Sequence, residues 1–133
     1  GEAVLVDPGD EAPRLLEAVD ASGCALAGIW LTHAHFDHVG GIAGVIRERP
    51  VPIWLHPDDA VFYQHAADNA GRWGVQIETP PAADRALAEG DQLHLGRFTF
   101  DVWHVPGHAP GHVAFVGHGL CISGDVLFAG SIG

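Results

Sequence analysis

The sequence predicts an α/β fold in which helices cover layers of sheet, and three observations carry that reading. Of 133 residues, 47% are hydrophobic and 17% charged, enough apolar material for the core of one domain. Through the first half, a short apolar strand, a loop and an amphipathic helix follow one another twice. Beyond Gly90 the order changes to consecutive strands with short turns, and sheet layers flanked by helices bury both kinds of apolar face.

Val4-Leu5-Val6 reads as a strand that stops at the turn cluster Asp7-Pro8-Gly9-Asp10, whose last residue can cap a helix. In that helix Ala12, Leu15, Leu16 and Val19 recur at helical spacing, Pro13 falls in the tolerated first turn, and Gly23 ends it. Ile29-Trp30-Leu31 is a buried strand. Val39, Ile42, Ala43 and Ile46 mark a second helix, closed by Arg47-Glu48-Arg49 and Pro50. Val51 to Leu55 is predicted as a strand, Asp58 to about Ala70 as a helix, and Gly71 to Gly90 as a long connection. Leu93 to Leu95, Phe98 to Val105, Val113 to Val116 and Leu120 to Ile122 read as strands; in the second, Phe98, Phe100 and Val102 alternate with Thr99 and Asp101. No repeat or linker divides the chain, so residues 1–133 are read as one domain.

Six Lys+Arg against 17 Asp+Glu give a net charge of −11, which repels phosphate backbones and anionic membranes. Small molecules and metal cations are the partners this balance favours, with no nucleic acid and no membrane. No apolar run approaches the roughly 20 residues of a membrane span, and the first residues lack the order of a signal peptide, so a cytoplasmic location is expected. Cys24 and Cys121 stand in apolar settings and are expected to be two buried, reduced thiols. Nothing in the composition bears on oligomeric state.

Ten histidines in so short a chain are the anomaly, since imidazole is the commonest side-chain metal ligand. His33, His35, Asp37 and His38 lie within Thr32-His33-Ala34-His35-Phe36-Asp37-His38, directly after an apolar strand and before a helix, where sites sit in such folds. A loop of solvated histidines is the bland alternative; Phe36 and the preceding strand argue against it by holding the loop on a core. With an extended backbone between them, His33 and His35 can turn toward one ion while Asp37 and His38 face another way. That spacing suggests two adjacent metal positions, and the lack of paired cysteines excludes a zinc finger. Two ions about 3.5–4 Å apart form a clamp suited to hydrolysis. His108, in the rigid turn Pro106-Gly107-His108-Ala109-Pro110-Gly111-His112, is the third ligand expected for the first metal. Asp125, at the end of the strand Leu120-Cys121-Ile122, could bridge both ions, although a lone Asp after a strand is most often a turn former.

Thr32 to His38, Pro106 to His112 and Gly124-Asp125 resemble, in order, the second, third and fourth signature motifs of the metallo-β-lactamase superfamily, and Asp7-Pro8-Gly9 resembles the first. The runs PGHAPGH and SGDVLFAGSIG are most similar to the glyoxalase II (hydroxyacylglutathione hydrolase) branch, in its compact single-domain bacterial form. The resemblance implies a four-layer αββα sandwich, incomplete at both ends: strands before Asp7 and a C-terminal part with one further histidine ligand for the second metal are expected beyond this chain. It implies metal 1 on His33, His35 and His108, metal 2 on Asp37 and His38, Asp125 as the bridge, Asp7 beneath the ligand loop, and His112 as a hydrogen-bond partner rather than a ligand. The cofactors implied are two divalent ions, zinc foremost, with iron or manganese also suited. The implied reaction is thioester hydrolysis by a metal-bridging hydroxide that Asp37 orients, on a small-molecule thioester of the glutathione-derived kind. The rival chemistry with the same motifs is a persulfide dioxygenase with one iron on His33, His108 and Asp125; lactonase or β-lactamase hydrolysis and a non-enzymatic metal-binding module come after it. His56 is read as a strand-end cap, and His65, His94, His104 and His118 as surface or core residues. Trp30, Trp54 and Trp103 are read as packing residues, Trp73 as near a substrate cleft.

Overall fold

The computed structural model describes residues 1–133. Strands β1 (Glu2–Val6), β2 (Ala25–Trp30), β3 (Ile53–Leu55) and β4 (Arg85–Ala86) pair in that order as a parallel sheet. Strands β5 (Gln92–Leu95), β6 (Phe98–His104), β7 (Val113–Gly117) and β8 (Leu120–Ile122) form a second, antiparallel sheet, and β9 (Leu127–Phe128) pairs with β10 (Ser131–Ile132) in a small hairpin. The helices are α1 (Ala12–Ser22), α2 (Phe36–Val39), α3 (Ile42–Glu48), α4 (Ala60–Gln64) and α5 (Ala66–Arg72), with a 3-10 turn at Pro57–Asp59.

The alternation of side chains along a strand explains why β2 and its exit read as a continuous apolar run. Ile29 and Leu31 point to the helical side, where they pack with Val39, Ile42, Val45, Ile53, Leu55, Tyr63 and Ala66. Trp30 points the other way, into a core shared with Leu93, Phe100, Val102, Val113 and Phe115 of the second sheet. Its ring centroid lies 5.8 Å from that of Phe100 and 5.4 Å from that of Phe115. Three layers follow: helices, parallel sheet, antiparallel sheet.

No helix covers the outer face of the second sheet, which corrects two sequence expectations. Asp101 pairs with Val116 and Val116 with Cys121, so these three share a face, and Trp103 lies on it two residues along. Trp103 is accordingly 50% exposed rather than packed, and the Cys121 thiol is exposed; Cys24 is half-buried. Both thiols are free, as expected, but neither is fully buried.

Element boundaries shift for local reasons. Helix α1 begins after Glu11, whose φ of 54° and lack of a side-chain cap leave Asp10 only a local bond, its Oδ1 accepting from the Glu11 amide at 2.7 Å. Gly23 does end it, with φ 69°. The helix expected from Val39 is broken at Gly40-Gly41 into α2 and α3, and the one expected from Asp58 divides at His65 into α4 and α5.

Candidate metal centre

Each cluster singled out in the sequence arrives at the same end of the two sheets. His33, His35 and His38 leave the carboxyl end of β2, while His108 and His112 come from the turn between β6 and β7. Asp125 follows β8. The turns are stitched across the sheet interface by the Val113 amide, which donates to the Thr32 carbonyl at 2.8 Å. Gly124 permits the last approach: its φ is 51°, and a Cβ there would stand 2.5 Å from Thr32 Oγ1 and 2.8 Å from His112 Cε1.

The polar atoms converge. Asp125 Oδ2 lies 3.1 Å from His38 Nε2, 3.3 Å from His108 Nε2 and 3.6 Å from His33 Nε2. His35 Nδ1 is 3.0 Å from His108 Nε2, and ligand atoms of His33, His35 and His108 all fall within 4.8 Å of one another. Ligands of a tetrahedral zinc at about 2.0–2.1 Å would stand roughly 3.3 Å apart, so these separations suit a shared cation. Asp37, 64% exposed, places Oδ2 3.8 Å from His38 Nε2.

Hydrogen bonds set which nitrogen is free. Asp7 Oδ1 accepts the Thr32 amide at 2.7 Å, and its Oδ2 accepts Thr32 Oγ1 at 2.5 Å. Having spent its hydrogen there, Thr32 Oγ1 accepts from His33 Nδ1 at 2.9 Å. His33 Nε2 is thereby left as a bare lone pair, fully buried and without a hydrogen-bond partner, an arrangement that costs free energy unless a cation completes it. Asp7 Oδ2 likewise takes His38 Nδ1 at 3.0 Å, turning Nε2 toward Asp125. His112 stacks on His33 with centroids 4.5 Å apart, and its Nε2 accepts the Asp125 amide at 3.1 Å. That nitrogen is therefore committed to holding the aspartate's backbone.

Two residues were not given a role from sequence. Thr32 opens the histidine motif, and in the structure its hydroxyl links Asp7 to His33. Asp59 is completely buried at the end of the 3-10 turn; its Oδ2 accepts the Ala34 amide at 2.8 Å and its Oδ1 the Gly111 amide at 2.6 Å. One carboxylate thus clamps the His33–His38 loop to the Pro106–His112 loop. His56 caps this turn by accepting the Asp58 amide, and it stacks on His104, whose Nε2 reaches the Pro110 carbonyl at 2.9 Å. His65, His94 and His118 lie on the surface.

Burial, reinforced by the neighbouring imidazoles, holds His33 down to about 2, and burial also lowers His35 and His112. For His38 burial opposes protonation, but the hydrogen bond and charge of Asp7, joined by Asp125 and Asp37, outweigh it and raise the group to about 8. In the metal-free protein these shifts act on opposite sides. Below about pH 6.5 the unfolded chain takes protons that buried His33 refuses, so stability falls with acid; above it, the stability lent by protonated His38 is lost as pH rises through about 8. Urea midpoints of metal-free protein are expected to peak near pH 6.5, with the alkaline loss on the order of 1–2 kcal/mol. Midpoints flat from pH 5 to 9 would contradict this.

His35, Asp37, His108 and Asp125 border a cavity of about 520 Å³ that is also lined by Phe36, Phe62 and Trp73. The chain is similar to known proteins. The chain is 36% identical over 135 residues to hydroxyacylglutathione hydrolase GloC of Haemophilus influenzae, covering 98% of this chain and 64% of that protein. It is 35% identical over 137 residues to the probable metallo-hydrolase YqgX of Bacillus subtilis, covering 99% and 64%. The crystal structure of TTHA1623 in a di-iron-bound form matches with a TM-score of 0.89 at 45% identity, over 98% of this chain and 65% of that one. The BLEG-1 B3 metallo-beta-lactamase matches with the same TM-score at 38% identity, over 99% and 65%. The chain spans just under two thirds of the length of these relatives. The family description "Metallo-beta-lactamase superfamily" matches residues 1–133, and together with the converging ligand set this establishes that the chain belongs to the metallo-β-lactamase superfamily.

Proposed function

We propose that the protein is a metal-dependent hydrolase of small thioesters, with His33, His35 and His108 holding one divalent ion, Asp37 and His38 the other, and Asp125 between them. The observation that carries this is Asp125 Oδ2, set among three imidazole nitrogens on the floor of an open cavity. Zinc suits these donors, and the di-iron form of TTHA1623 makes iron an equal candidate. Bound there, two such ions would lower the pKa of water toward neutrality and polarise a carbonyl oxygen. Asp37 accepts a hydrogen bond from the attacking water and aims it at the thioester carbon. As the water oxygen bonds to that carbon its proton is lost to solvent and the carbonyl pair moves onto oxygen; the pair returns as the C–S bond breaks, and the thiolate departs with the bonding electrons to be protonated by solvent, leaving the acid to ionise to the carboxylate. Phe36 and Phe62 give the acyl or thiol arm an apolar wall and thin the water around it. Support for thioesters comes from the relatives named hydroxyacylglutathione hydrolase.

A second reading draws on the same geometry. His33, His108 and Asp125 form a two-histidine, one-carboxylate set of the kind used by mononuclear iron oxygenases, with Asp125 Oδ2 within 3.6 Å of both rings. Substitution separates the two. In the hydrolase Asp37→Ala and His38→Ala should each lower S-lactoylglutathione hydrolysis roughly a hundredfold and reduce metal content toward one ion per chain. Oxygen uptake with glutathione persulfide at one iron per chain, insensitive to both substitutions, would replace the hydrolase with the oxygenase.

A further inference from the structure

All six cationic side chains are arginines, and five are placed away from the metal centre or already engaged. Arg14 pairs with Glu11, Arg47 with Glu78 and Arg49 with Asp20. Arg97 lies over the Phe98 ring, 5.2 Å from its centroid, and Arg85 borders a separate hollow beside Pro81 and Asp84. Arg72 differs. It ends α5 and lines the cavity above the ligands, together with Asn69, one helical turn before it, and Trp73 beside it. No carboxylate pairs with it. Asp68, the acid nearest along the helix, is turned to His65, 3.6 Å away. In a chain of net charge −11, one unpaired guanidinium in a cavity otherwise edged by Asp37 and Asp125 is a selective feature.

We propose that Arg72, with Asn69, is the anion subsite of this cavity: it takes a carboxylate on the substrate and thereby selects acidic thioesters over neutral ones. The assignment rests on the thioesterase reading and extends it to substrate class. A guanidinium offers a carboxylate two parallel N–H donors, and the Asn69 amide adds another, fixing the substrate's far end while its thioester reaches the floor. The exposed face of Trp73 covers the arm between the two. The interaction is the same before and during reaction, so it belongs to binding rather than to the chemical step.

The test uses the metal-loaded full-length protein and two substrates of equal length, S-lactoylglutathione and its carboxyl diester, which lacks the negative charges. Arg72→Gln should raise KM for the acid about tenfold or more, leave kcat within about twofold, and leave KM for the diester unchanged; Arg72→Lys should recover part of the loss. Calorimetric titration with S-methylglutathione, which cannot be hydrolysed, should show binding that weakens to the same extent in Arg72→Gln. Equal KM changes for acid and diester, or none, would overturn the subsite. Arg72-dependent binding of S-methylglutathione without hydrolysis of any thioester would leave the anion subsite standing and remove the thioesterase reading instead.

Discussion

Replacing His108 with Ala is expected to empty the first metal position and lower turnover by roughly a thousandfold or more. His108 Nε2 stands 3.0 Å from His35 Nδ1 and 3.3 Å from Asp125 Oδ2, so its removal takes one corner from a three-imidazole set and one neighbour from the Asp125 carboxylate. Its ring is 26% exposed at the tip of the turn, so its loss should cost little folding stability. The diagnostic combination is metal content near zero at the first position with a nearly unchanged urea midpoint. A variant that keeps parental metal content and rate would refute His108 as a ligand.

The second large effect is structural in origin. Asp59→Ala leaves the Ala34 and Gly111 amides buried without acceptors, and each such loss costs about 1–3 kcal/mol. Together they approach the total stability of a typical domain, about 5–15 kcal/mol, so the variant should unfold at markedly lower urea. Where it folds, metal affinity should drop about 10–100-fold, because the loops bearing His33, His35 and His108 lose the carboxylate that clamps them and keep only the Val113–Thr32 backbone bond between them. Asp59→Asn keeps one acceptor oxygen but turns an amide donor toward the other N–H, and should fall between. A midpoint for Asp59→Ala within about 1 kcal/mol of the parent would show that the clamp carries no load.

The candidate cluster of His33, His35, Asp37 and His38 was legible in the sequence because four residues of metal-ligand type crowd within six positions. His108 was legible through its rigid Pro/Gly turn, and Asp125 through its place after a strand beside Gly124. Asp59 and Thr32 were not: both work through hydrogen bonds whose partners lie 25 or 52 residues away, and nothing in a local window marks an aspartate that accepts backbone amides. The sheets and their order of appearance followed from periodicity, whereas β4, β9 and β10 are two residues long and present no period to read. Trp103 and Cys121 looked apolar enough for a core, but strand alternation turns them to the face that no helix covers.

The stitching of the two sheets at their ligand-bearing end has a kinetic meaning. His35 and His108 are 73 residues apart, and one set of ligands belongs to each sheet, so an ion held between them closes a long loop much as a covalent cross-link would. Neither half carries the full set, and an ion cannot find its final coordination until the sheets have docked. Binding would then be a late event in folding, and the ion would act chiefly as a brake on opening: saturating metal at about a thousand times its dissociation constant would add about 4 kcal/mol to the native state. Chelation would release that brake, and proteolysis at the seam between the sheets should accelerate before the helical layer loosens.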